Sequence, residues 1–373
     1  MYYKTFYKLN NVHNYTPSCT VDMLYANLTP TNITGNYGPP EKFTLRKDSK
    51  DSSTFNINQE TLNLLQIMLT QASEISKEYS VYRIAKSTGG YRTISAPNES
   101  LKNKQRDVYN LLHSLGAMPH DAAYAYIPQR TCKDAVQKHQ QADNKWFYKF
   151  DIKDFFPTCT TEILKTILKQ VYPFCSMPED TLDLILDLAT YNNALPQGSP
   201  LSPLLSNMVL TPFDFIMHYS IRAFDGVYTR YADDILISTP TKHDLNFIQR
   251  IVQNHLTELS PNFRLNVDKA RCGSKNGSNW NLGLMLNKEN NITIGHKKKM
   301  ILKAKINNFI LDFTNSNYWS IIDTQVLQGE VNYFKTIEPE YANFVIQRLE
   351  QKYQCRSTLA EMFSAIISGR VQV

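Results

Sequence analysis

The segment VYTRYADDILIS (227–238) sets two adjacent acids, Asp233 and Asp234, at a bend between two short apolar strands. An Asp-Asp pair in a bend is often turn chemistry alone, because Asp tolerates unusual backbone angles there. Here Val227, Tyr231, Ile235 and Ile237 flank the pair, so it stands among core-forming positions. Two carboxylates held in such a place repel each other and are costly to desolvate unless a cation compensates them. A third acid tips the reading toward a metal, and KWFYKFDIKDFF (145–156) supplies it. Read as a strand, it puts Trp146, Tyr148, Phe150 and Ile152 on one face and Phe147, Lys149 and Asp151 on the other. If the strands are neighbours, Asp151, Asp233 and Asp234 converge on one sheet edge, an all-oxygen set suited to a hard divalent cation. Asp154 lies past the strand end and reads as structural.

The remaining pattern mixes helices and strands. Residues 1 to about 58 are polar and irregular, with turn formers at Pro30, Asn32, Gly35, Pro39 and Pro40, and read as an N-terminal extension. Helical spacing starts at Gln59, with Leu62, Leu65, Met68 and Leu69. VYRIA and YRTIS flank a turn around Gly89 and Gly90, which predicts a hairpin. Helices are expected over 101–115, 161–171, 203–220 and 243–258, strands near 263–268 and 280–287, and helix from Lys297 onwards. Without regular βαβ alternation, this order predicts an α+β fold.

At 373 residues, 42% of them hydrophobic, the chain has room for two or three subdomains. A formal net charge of +6 is compatible with a polyanionic partner without arguing for one. The six cysteines form no C-x-x-C pair and read as reduced thiols rather than a zinc site or disulfide framework. The N-terminus lacks a signal pattern and no apolar run reaches membrane-spanning length, so a cytoplasmic protein with no membrane partner is expected.

Three segments, in order, resemble reverse transcriptases: FDIKDFF (150–156) their first metal motif, LPQGSPLSPLLSN (195–207) their template- and nucleotide-contacting motif, and YADD (231–234) their signature hairpin. Residues 82–115 are similar to the fingers of retron and group II intron enzymes, and IGHKKK (294–299) with YFK (333–335) and IEPEY (337–341) to retron thumbs. The resemblance runs over roughly residues 60 to 353. It departs in two places: DAVQKH (134–139) stands where retron enzymes carry Asn-Ala-x-x-His, and Asn281-Leu282-Gly283 where they carry Val-Thr-Gly.

What the resemblance implies is a right-hand polymerase: fingers over 59–140 and 159–204, palm over 141–158 and 205–290 with the antiparallel sheet carrying the YADD hairpin, and a helical thumb over 291–373. It implies an RNA-directed DNA polymerase using two Mg2+ ions, with Mn2+ able to substitute. Asp151 and Asp233 would hold both ions and Asp234 would support the primer side, with Ile152 beside Asp151 in the metal set. Phe156 would be the steric gate under the incoming sugar, and Phe155, assigned to the nucleotide site with it, reads as core. Lys86 and Arg92 would clamp the triphosphate, Gln197 would pack at the nucleotide, Gly198 would allow close approach, and Lys269 would protonate pyrophosphate. Leu282 and Gly283 resemble the primer grip beside Tyr231, while Lys297, Lys298, Lys299 and Lys303 would follow the phosphates of a duplex. Partners implied are dNTPs, a DNA product, an RNA template of the cognate non-coding kind and a defence effector protein. The alternatives are an abortive-infection-type polymerase making untemplated or protein-primed DNA, and an inactive nucleic-acid-binding scaffold, against which the intact acids count.

Overall fold

A computed structural model of the chain describes residues 57–73, 77–85, 89–277 and 281–371. Most of the expected N-terminal extension therefore lies outside the described residues. Helix α1 (Gln59–Ser73) buries Leu62, Leu65 and Leu69, the stripe visible in the sequence. The hairpin of β1 (Tyr79–Ala85) and β2 (Tyr91–Pro97) follows, with Ile84 opposite Arg92. Asn98 opens α2 (Glu99–Ser114) by accepting the Leu101 N–H at 2.9 Å. Helix α3 (Cys132–Gln141) is one that periodicity does not announce: only Ala135, Val136 and His139 are buried on it. A reciprocal capping box between Thr131 and Asp134 starts it.

Strand β3 (Trp146–Asp151) is shorter than the expected run to Phe156. Beyond Ile152 the Lys153 N–H turns to the Arg264 carbonyl at 2.8 Å, and Asp154 takes a left-handed φ of 46°. A short helix α4 (Phe155–Thr158) then carries both phenylalanines off the sheet. Helices α5 (Thr161–Leu168) and α6 (Glu179–Ala189) follow. The single helix expected over 203–220 is two, α7 (Ser202–Val209) and α8 (Thr211–Arg222). Pro212 falls in the first turn of α8, where its missing N–H costs nothing but ends α7.

Next come β4 (Val227–Tyr231), β5 (Asp234–Thr239) and α9 (Leu245–Leu259). Around 263–268 the expected strand reduces to one bridge between Leu265 and Ile152, and the strand proper is β6 (Arg271–Ser274). A small ladder of β7 (Met285–Leu286) and β8 (Ile292–Thr293) leads into four helices, α10 (His296–Thr314), α11 (Ile321–Ile337), α12 (Pro339–Lys352) and α13 (Leu359–Ile367).

The central sheet has the order β4-β5-β3-β6, antiparallel throughout, within an α+β fold as expected. Its two faces serve two cores. Tyr148, Phe150, Ile235 and Ile237 point into the larger one, built with α1, α2 and α5 to α9. Phe147 and Leu236 point the other way, into a second core with Val136 and the four C-terminal helices. On this second face the next positions along β3 and β5 are Lys149, Asp151 and Asp234, so an apolar floor gives way to charge at one edge.

Candidate active site

The register of β3 on β5 pairs Asp151 with Asp234 directly, which puts both carboxylates on the same face. Asp233 lies in the bend, where Ala232 takes a φ of 57° and the Asp233 carbonyl accepts the Ile152 N–H at 3.0 Å. The hairpin bend is thereby tied to the end of β3 by backbone hydrogen bonding. Ile152 itself is a buried core residue. Burial raises the Asp233 pKa above the ordinary carboxylate value; Asp234 and Asp151 add to the rise, against a backbone hydrogen bond and Lys269.

Two lysines meet this negative edge. Lys269 sits in a one-turn 3-10 segment (Val267–Lys269), docked by the Asn266 N–H on the Asp151 carbonyl at 2.8 Å. Its Nζ donates to Asp151 Oδ1 at 2.8 Å, and this bond, with the charges of all three acids, raises its pKa. Lys149 pairs with Asp234 at 3.0 Å. Among the described residues no three His, Cys, Asp or Glu side chains are grouped as a metal ion would need them. Asp234 and Asp151 each pair with an ammonium group instead. The donor set still fits a hard divalent ion: oxygen only, on one sheet edge, with negative charge that burial leaves under-compensated at Asp233.

On the nucleotide side, Phe155 is buried against Phe263, whereas Phe156 is half-buried with its ring edge-on to Phe155 and to Tyr126. The Gln197 carbonyl accepts the Ser95 N–H at 2.8 Å, fastening the PQG segment to β2. Gly198 has a φ of 128°, and a Cβ there would stand 2.9 Å from the Ser95 carbonyl oxygen, so only glycine permits this approach. Among the described residues Gln197 Oε1 is buried without a hydrogen-bond partner, an unsatisfied acceptor at the expected nucleotide position. Arg92 is exposed on β2, and its charge lowers the pKa of the Tyr126 phenol against the dominant upward effect of burial. Lys86 lies outside the described residues.

Tyr231, Lys149, Asp234, Asn281 and Leu282 line one pocket. Leu282 and Gly283 both have left-handed φ, at 54° and 79°, in a tight turn closed by Asn281 and Leu284. Lys298 Nζ donates to the Gly283 carbonyl at 2.9 Å, binding this turn to α10. The lysines of α10 differ in what they touch. Lys299 pairs with Glu338 and lies 4.5 Å over the Tyr341 ring, while Lys297 and Lys303 have no ion pair among the described residues.

Sequence reasoning misses the polar network under the hairpin. Arg230 and Asp214 are both fully buried, joined at 2.6 Å and 2.7 Å by Nη2 and Nε. Tyr228 donates to the same Asp214 at 2.6 Å, and Arg230 Nη1 donates to Asn207 Oδ1 and to the Ala232 carbonyl in the bend. The available signal was a charge on an inward position of β4 and an opposite one inside the apolar helix TPFDFIM (211–217).

The sequence profile of the family described as Reverse transcriptase (RNA-dependent DNA polymerase) matches residues 84–286, more than half of the 373-residue chain. Retron Ec73 reverse transcriptase of Escherichia coli is 30% identical over 292 residues, covering 72% of this chain and 85% of that one. Retron Ec83 reverse transcriptase of Escherichia coli is 28% identical, with 75% of this chain and 88% of that one covered. Retron Mx65 reverse transcriptase of Myxococcus xanthus is 25% identical, covering 76% and 66%. With the acids and the hairpin brought to one edge of an antiparallel sheet, the chain belongs to the reverse transcriptases, as an RNA-directed DNA polymerase of the bacterial, retron-like kind.

Proposed function

We propose that the chain copies a structured RNA into DNA from dNTPs by two-metal nucleotidyl transfer at Asp151, Asp233 and Asp234, as a retron-like enzyme of antiphage defence. The observation that carries this reading is the Asp151–Asp234 register with Asp233 in the adjoining bend. Bound Mg2+ would lower the pKa of the attacking 3′-hydroxyl and balance charge on the leaving pyrophosphate. The protein's own part is positional. Lys149 and Lys269 hold two of the acids until substrate phosphates arrive. Lys269, kept protonated by its neighbours, would give a proton to pyrophosphate. Gln197 would offer a dry acceptor to the nucleotide, and Phe156 would exclude a 2′-hydroxyl; its half-buried ring, packed edge-on to Phe155, supports that reading. In this reading the fingers span 59–140 and 159–204, the palm 141–158 and 205–290, and the thumb 291–373; the larger core lies within fingers and palm, and the second joins the thumb helices to the sheet.

Primer extension on an RNA template with dNTPs and Mg2+ tests the chemistry. Wild type should extend, and Asp233→Ala should lose extension while keeping RNA binding; substantial residual synthesis would remove Asp233 from the assignment. Sequencing the nucleic acid that co-purifies tests for a dedicated structured RNA. Plaque counts on cells carrying wild type or Asp233→Ala, together with the neighbouring genes, test the defence role. Equal counts would overturn it.

A further inference from the structure

Tyr126 is an aromatic residue the fold has gone out of its way to display. It is 50% exposed, so it adds little to either core, and its φ of 61° is a region that residues other than glycine, asparagine and aspartate rarely occupy. Such a conformation persists only where the surroundings over-determine it. Here they do. The Arg230 N–H donates to the Ala122 carbonyl at 2.7 Å, the Tyr124 N–H donates to the Arg230 carbonyl at 2.8 Å, and Asn207 Nδ2 donates to the Ala125 carbonyl at 2.8 Å. Arg130 Nη1 adds a bond to the Ala123 carbonyl at 2.8 Å. The chain entering Tyr126 is thus laced to β4, the strand that leads into the acid pair, and to α7, which follows the PQG segment.

What this placement delivers is a ring against Phe156. The two centroids are 6.4 Å apart at an interplanar angle of 87°, an edge-to-face pair. Phe155 holds Phe156 from another side at 5.8 Å and 72°. We propose that Tyr126 is a positioning residue for sugar discrimination: its ring fixes the orientation in which Phe156 excludes a ribonucleotide. The proposal rests on the reading of Phe156 as the gate. A half-buried Phe on a four-residue helix has room to swing, and a gate that swings admits the 2′-hydroxyl. The ring, rather than the phenol oxygen, does the holding.

The test compares kcat/KM for a dNTP and its ribonucleotide in wild type, Tyr126→Gly, Tyr126→Phe, Phe156→Ala and the Tyr126→Gly/Phe156→Ala double variant. Glycine accepts the left-handed backbone without strain, so the fold is kept while the ring is lost; Tyr126→Asn gives a second ringless variant that tolerates the same backbone. The dNTP-to-rNTP ratio should fall roughly three- to tenfold in both ringless variants, chiefly through a lower KM for the ribonucleotide, the range expected of one aromatic pair. Tyr126→Phe should discriminate as wild type does, and the double variant should be no worse than Phe156→Ala alone. An unchanged ratio in both ringless variants, beside a shifted ratio in Phe156→Ala, would overturn the proposal and leave the gate standing. An unchanged ratio in Phe156→Ala would overturn gate and positioning together, while extension by wild type would keep the polymerase reading separate from both.

Discussion

Among the described residues, Arg230 is the largest side chain to be fully buried, and it carries a charge. Its guanidinium is wholly buried, and Asp214 and Asn207 satisfy it while it holds the Ala232 carbonyl. Removing one partner of such a pair strands the other in a dry interior. Arg230→Ala or Asp214→Ala should therefore destabilise the protein by about 3–5 kcal/mol in urea unfolding, with extension activity lost alongside. Lys269 answers to a different measurement. If it donates the proton to pyrophosphate, Lys269→Gln should slow single-turnover incorporation by roughly 10²–10⁴-fold and remove the alkaline limb of the pH–rate profile. In the free enzyme the bond to Asp151 raises the Lys269 pKa, so Lys269 enters the reaction protonated. The acids themselves were legible in the sequence, since adjacent carboxylates between apolar strands call for a compensating cation. Lys149 and Arg230 were not, because the role of each depends on a partner that only the fold brings near.

Among the elements, α3 has the least sequence signal and the widest reach. His139 lies fully buried between Ser238 and Thr229, at 2.7 Å and 2.8 Å, which joins the helix to β4 and β5. At its other end Lys133 donates to the Thr336 carbonyl of α11 at 2.7 Å. The helix is therefore a strut between the sheet and the C-terminal bundle. Burial lowers the His139 pKa to about 3 and the His120 pKa to about 4, so both are neutral in the folded chain at neutral pH. In the unfolded chain each takes up a proton as pH falls through about 6.5. Stability should therefore be full above that value and decline on acidification toward pH 4, by up to roughly 1.4 kcal/mol per pH unit for each histidine. Urea unfolding at pH 7.5, 6.5 and 5.5 measures the slope, and His139→Gln should reduce it by one proton's worth. Elements with clear periodicity or turn chemistry (α1, the β1–β2 hairpin, α9 and the YADD hairpin) were readable. The end of β3 and the α7–α8 break were not, because a left-handed Asp154 and a tertiary bond from Lys153 decide the first, and Pro212 inside an apolar run the second.

At the scale of the molecule, two cores meet across one sheet, and the acid edge opens where the second core stops. A nucleic-acid duplex lying there would run along α10. Since Lys299 and Lys305 are engaged by Glu338 and Glu330, fewer lysines would be left to meet its phosphates than the sequence run suggests. Lys297→Ala and Lys303→Ala should each lower the slope of log K against log salt for primer–template binding by about 0.7–0.9, whereas Lys299→Ala should lower stability and leave the slope nearly unchanged. The α+β class and its polymerase architecture could be anticipated from ordered motifs. How the lysines divide between duplex and protein could not, because helical position and partner acids decide it.

The pairing of Asp151 with Asp234 also governs how the enzyme comes into being. Slipping β5 by one residue along β3 would keep most of the backbone ladder yet turn Asp234 toward the larger core and present Ile235 to the lysines. Misregistered chains would thus be inert, with a carboxylate trapped among apolar side chains as a penalty against persisting. The partners come from segments far apart in sequence, and the Lys269 turn follows later still. The catalytic acids of this protein therefore depend on the register of its sheet as much as on their own identity.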